Sequence, residues 1–155
     1  MSYFMRAFCG AGQVPSVTVL VEHLRSKGLA VHVESSSEAA DQSCRQVIFR
    51  YKPQRSPIVI TCNFPDDADG LFGSEIGEFL EKIGPPRLSL KKRRVIGHLR
   101  QSKFMLVIQV PGDIDPAGLQ IADAVLQYCI DHCEAMVQTD EEGFYVGNKL
   151  IFPLQ

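Results

Sequence analysis

Apolar positions along this chain switch between a period near two and a period near 3.6. Tyr3 to Cys9 is a short apolar stretch interrupted by Arg6, and Gly10-Ala11-Gly12 punctuates it. Val17, Leu20, Val21 and Leu24 then recur at helical spacing, with Glu22, Arg25 and Lys27 mostly off the stripe. Pro15 sits where a first helical turn tolerates a missing N–H, and Gly28 where a left-handed residue would end the helix. Leu29, Val31 and Val33 alternate with Ala30 and His32, which predicts a strand with one buried face. Glu34 to Ser43, with its run of serines, reads as a polar connector. Val47, Phe49 and Tyr51 alternate with Gln46, Ile48 and Arg50. Ile58 to Cys62 is a second extended run, and the proline-containing turn between the two predicts a hairpin.

The second half repeats this grammar. Phe72, Ile76, Phe79, Leu80 and Ile83 make a helical stripe that Gly84-Pro85-Pro86 ends. Residues 88–101 carry Leu88, Val95, Ile96 and Leu99, but Gly97 and the Lys91–Arg94 run leave a helix there an open question. Lys103 to Val110 reads as a strand. Asp115 and Pro116 are an N-cap and first-turn pair for a helix whose stripe is Leu119, Ala122, Leu126, Cys129, Ile130 and Cys133. Ala135–Gln138, Phe144–Val146 and Leu150–Phe152 read as strands, the last two around the turn Gly147-Asn148.

The two ends share an element order, so residues 1–155 read as a single domain. Its pseudo-repeat halves are about 1–62 and 103–153, joined by a helical basic segment at about 70–102. The expected class is α+β: a mixed, largely antiparallel sheet built from two strand-helix-strand-strand units, with helices packed mainly on one face. In element order this resembles duplicated strand–helix–strand–strand domains of the small-ligand-binding regulator type. That likeness implies a groove framed by the two units.

Composition narrows the class further. At 155 residues, 45% hydrophobic and a net charge of −2, the chain has enough apolar surface to fold and no disorder signature. Its longest apolar run, Phe104 to Ile108, is far too short to span a membrane, and the start lacks a secretory pattern. Five cysteines cannot all pair with one another, so the expected location is the reducing cytoplasm.

Four patterns bear on chemistry. Gly10-x-Gly12 between a strand and a helix, with Glu34 further on, resembles the start of a dinucleotide fingerprint. Pro15 occupies the third glycine position, so a plain strand-to-helix turn is preferred, and no cofactor is expected. Cys9 in that turn could act as a nucleophile at a helix N-terminus, although a buried thiol is the simpler reading. Cys129, His132 and Cys133 share a helix face and suit zinc chemically. The cysteines continue the apolar stripe, however, so core packing is preferred and no metal site is assigned. Asp140-Glu141-Glu142 beside Gly143 reads as a hairpin turn.

Charge is unevenly spread. Residues 82–112 contain eight Lys or Arg and no acid, whereas residues 113–155 hold eight acids against Lys149 alone. Lys91, Lys92, Arg93 and Arg94 therefore form a candidate basic patch for an acidic partner or nucleic acid. A pI of 6.1 and the lack of interleaved aromatics weigh against nucleic acid.

The leading expectation is a non-catalytic binding or regulatory domain for a small molecule or a protein partner. Its candidate contacts are Gly10, Gly12, Phe49, Tyr51, Phe144 and Tyr145, and its contact surface is expected at a groove between the helices of Val17–Leu24 and Leu119–Cys133 or at the sheet face opposite them. The alternative is a small cysteine-dependent enzyme using Cys9, and a third reading is binding through the basic patch. No membrane partner is expected, and an exposed sheet edge would permit a two-fold homodimer.

Overall fold

Phe104 to Ile108 is apolar without alternation because its strand is covered on both faces. In a computed structural model that describes residues 1–154, the elements run β1 (Tyr3–Cys9), α1 (Val17–Ser26), β2 (His32–Glu38), β3 (Cys44–Arg50), β4 (Ile58–Asn63), α2 (Leu71–Ile83), α3 (Leu90–Gln101), β5 (Phe104–Val110), α4 (Pro116–Cys133), β6 (Ala135–Thr139), β7 (Gly143–Val146) and β8 (Lys149–Pro153). The strands form one eight-stranded sheet in the order β2-β3-β4-β5-β1-β6-β7-β8. The class is α+β, as expected.

Every ladder among the described residues is antiparallel. The parallel part of the expected mixed sheet is missing because no strand pair joined through a helix becomes a parallel neighbour. β1 stands between β5 and β6, and β3, β4 and β5 separate β1 from β2. The two units therefore share an element order but not a strand placement.

Strand alternation sorts the core into two layers. Met5, Ala7 and Cys9 of β1, with Phe104, Leu106, Ile108 and Val110 of β5, face α1 and α4. Phe8 and Met105 point the opposite way and pack with Phe72, Phe79 and Ile83 of α2 and Val95, Ile96 and Leu99 of α3. The two principal helices lie on one face, as predicted. The joining helices α2 and α3 cover the other face at its β5-to-β8 end, and they do so because both carry apolar stripes that need a surface to bury.

Three local readings change. The serine connector is largely strand: β2 spans His32–Glu38, nearly all exposed, and is held to β3 by its backbone. An edge strand needs no apolar face, so hydrophobic patterning cannot reveal it. The basic segment is helical, because Ser89 caps α3 by accepting from Lys92 N at 3.2 Å and Val95, Ile96 and Leu99 anchor it. The buried stripe of α4 runs through Gly118, Ile121, Ala122, Val125, Leu126, Cys129 and Cys133, leaving Leu119 and Ile130 half-buried.

Candidate functional site

Arg6, the one charged side chain buried among the described residues, marks a cleft. A strand in the middle of a two-sided sheet should be apolar, yet Arg6 is only 8% exposed. Its neighbours explain why it is tolerated. Arg6 Nε donates to Glu75 Oε2 of α2 at 2.5 Å, while Nη1 donates to Gln138 Oε1 at 2.7 Å and to Asp140 Oδ1 at 2.8 Å. The guanidinium also sits 5.4 Å from the Phe4 ring centroid and 5.3 Å from that of Phe79. A buried charge is stable only when paired and hydrogen-bonded in this way.

Register brings the partners together. Arg6 stands opposite Gln138 in the β1–β6 ladder, and Phe4 N donates to Asp140 Oδ2 at 3.0 Å, fixing that carboxylate just past the end of β6. Burial alone would push the Asp140 carboxyl up. The Arg6 guanidinium and the Phe4 N–H outweigh it and hold the group below the usual aspartate range.

The cleft above this network has a volume of about 680 Å³ and opens between the N-terminus, α2 and the β6–β7 turn. Glu75, Glu78, Asp140, Glu141 and Glu142 line it, against Arg6 and Lys82 as the cationic side chains. The acids outnumber the bases, so the cleft is electronegative. Tyr3 lies on its wall, where burial first, then Glu142 and Asp123, push its phenol pKa up. Such a cleft suits a cationic group and repels an anion.

The residues singled out from sequence are dispersed. Gly10 and Gly12 do not form a phosphate cradle, because Gly10 N and Ala11 N donate to Cys133 O at 3.1 and 3.2 Å. Gly12 adopts φ +80°, and a Cβ there would stand 2.5 Å from His132 O, so the glycine serves a close approach of backbones. Phe49 and Phe144 are fully buried core residues rather than contacts. Tyr51 packs on the start of α4, where its hydroxyl accepts from Asp115 N at 3.4 Å. Tyr145 donates to Glu142 at the edge of the cleft. The groove expected between α1 and α4 is closed by direct packing, with His23 Nε2 3.1 Å from Ala124 O.

Cys9 points into the α1–α4 layer, within reach of Cys129 and Cys133, and hydrogen bonding with those thiols together with burial pushes its pKa up. His132 stays exposed beside Tyr128, and no cluster of three or more His, Cys, Asp or Glu among the described residues is arranged to hold a metal. Lys91, Arg93 and Arg94 are exposed on α3 and Lys92 is half-buried.

Sequence reasoning missed Arg6, Glu75 and Gln138 as a unit. The signal was Arg6 itself, a cation breaking an apolar strand. Asp140–Glu142 were noticed, but as a turn. Comparison with protein-family models, curated proteins and solved structures finds no match to the chain.

Proposed function

We propose that this protein is a non-catalytic binding domain whose ligand enters the Arg6 cleft through a cationic group, an amine or a guanidinium, carried by a small molecule or a protein partner. The observation that carries the reading is the pairing of a ligand-sized cleft with a surplus of carboxylates held in place by a buried arginine. The arginine consumes part of the charge of Glu75 and Asp140. Glu78, Glu141 and Glu142 on the exposed rim remain for a ligand.

The cysteine-enzyme alternative has less support, since a nucleophile must be reachable and ionisable, and Cys9 is fully buried with a raised pKa. The cytoplasm is the location proposed for this activity, supported by five free cysteines. No helix among the described residues is long and apolar enough to cross a membrane.

The test is an amide-shift titration with agmatine, which carries both an amine and a guanidinium, alongside a lysine-rich peptide. Shifts centred on Arg6, Gln138 and Asp140, reduced in Glu78→Lys and Glu141→Lys, are expected. Shifts elsewhere, or none with either probe, would overturn the proposal.

A further inference from the structure

The cations of the basic segment stand without ion pairs, as do Arg25, Lys27 and Lys149 elsewhere among the described residues. Arg6, Arg45, Arg50, Lys52 and Arg55 are all in ion pairs. Lys82, Arg87, Lys91, Lys92, Arg93, Arg94, Arg100 and Lys103 have no ion-pair partner among the described residues, so the acidic C-terminal third does not neutralise them. Two of these cations, Arg93 and Arg94, line a second cleft of about 520 Å³ between α3 and the β6–β7 strands. The remaining polar lining comes from His98, Gln101 and Glu134.

The cleft's geometry is fixed from behind. His98 Nε2 lies 2.6 Å from Phe8 O, and because a carbonyl only accepts, that nitrogen carries the proton and leaves Nδ1 unassigned. Gly10 closes the end of the cleft, the position of a Cβ there being 3.9 Å from His98 Cε1. Arg93 Nη2 donates to Arg87 O at 2.8 Å, which restrains its guanidinium before any ligand arrives.

Gly97 lines the same cleft as Arg93 and Arg94. It sits inside α3, where glycine costs about 1 kcal/mol relative to alanine. Nothing lies within 4 Å of where its Cβ would be, so packing does not require a glycine. What the missing side chain leaves is room in the cleft wall, one turn from Arg93 and Arg94.

We propose that this cleft binds the phosphate group of a small phosphorylated ligand, with Arg93 and Arg94 as its cationic contacts. Arginine suits this role because its planar fork matches phosphate oxygens in pairs. A small ligand fits better than a nucleic-acid strand because no Phe or Tyr among the described residues lines the cleft for bases to stack on. The site is separate from the Arg6 cleft and has the opposite charge preference.

Calorimetric titration with inorganic pyrophosphate at fixed ionic strength tests it. Binding with a Kd of about 1 mM or tighter is expected. It should weaken about tenfold or more in an Arg93→Gln, Arg94→Gln double variant. Gly97→Leu should weaken it comparably while leaving every charge in place, and Lys91→Gln with Lys92→Gln should leave it nearly unchanged. Absence of pyrophosphate binding would overturn the proposal. So would binding that Gly97→Leu does not alter, or that the Lys91 and Lys92 variant weakens as much, since either describes a diffuse patch. Binding only of a single-stranded oligonucleotide, falling steeply with salt, would assign the face to nucleic acid instead.

Discussion

The Arg6 network predicts a specific non-additivity. Glu75 and Asp140 approach one guanidinium from two elements, with side chains 29% and 32% exposed against 10% for Arg6. Replacing Glu75 by Gln removes a charge-assisted bond at 2.5 Å but leaves Asp140 at 2.8 Å to balance the cation. Because water reaches the removed carboxylate's position, the single change should cost about 1–2 kcal/mol. Asp140→Asn alone should cost about the same. With both changed, Arg6 keeps only Gln138 Oε1 and the faces of Phe4 and Phe79, which is a buried cation without a counter-charge. That state should cost about 3–5 kcal/mol. The double variant should thus exceed the sum of the singles by about 1 kcal/mol. Urea unfolding followed by circular dichroism reads this as shifts in midpoint at constant slope, and melting should fall by about 2–4 °C per kcal/mol. A double variant no worse than the sum of the singles would refute the idea that the carboxylates share one buried charge.

Asp140 also sets an acid limit. Its folded pKa is lowered, so its contribution is fully present above the unfolded value of about 3.9 and is lost as pH falls through the folded value. Asp140→Asn should flatten that part of the stability-versus-pH curve, as urea midpoints at a series of acid pH values would reveal. Gly12→Ala should cost about 2–4 kcal/mol through left-handed strain and collision with His132 O, whereas Gly28→Ala, at φ +74° in open space, should cost about 1–2 kcal/mol by chemical denaturation. All five thiols are buried, so alkylation followed by mass spectrometry should show modification that tracks unfolding, Cys9 included. Rapid labelling of native Cys9 would revive the nucleophile reading.

Elements with a buried stripe were legible in the sequence because burial writes a period into it. The central strands, α1, α2 and the capped start of α4 all follow from that pattern, as does the α+β class. The strand β2 escaped because an edge strand is held by backbone bonds to β3, which leave no trace in side-chain type. α3 was open to question because Gly97 and four consecutive cations weaken the pattern that three buried residues complete.

The candidate sites depended on tertiary structure for a different reason. Arg6, Glu75 and Asp140 are scattered along the chain, and only the β1–β6 register and the packing of α2 against the sheet bring them to one guanidinium. In the same way Gly10, noticed as part of a turn, and Arg93 and Arg94, noticed as a charge run, become one cleft only where α3 crosses the end of β1. Local periodicity records which face a residue presents. Which distant residue it meets depends on strand order, and in this fold that order places β1 between two strands, β5 and β6, that lie more than ninety residues away in sequence.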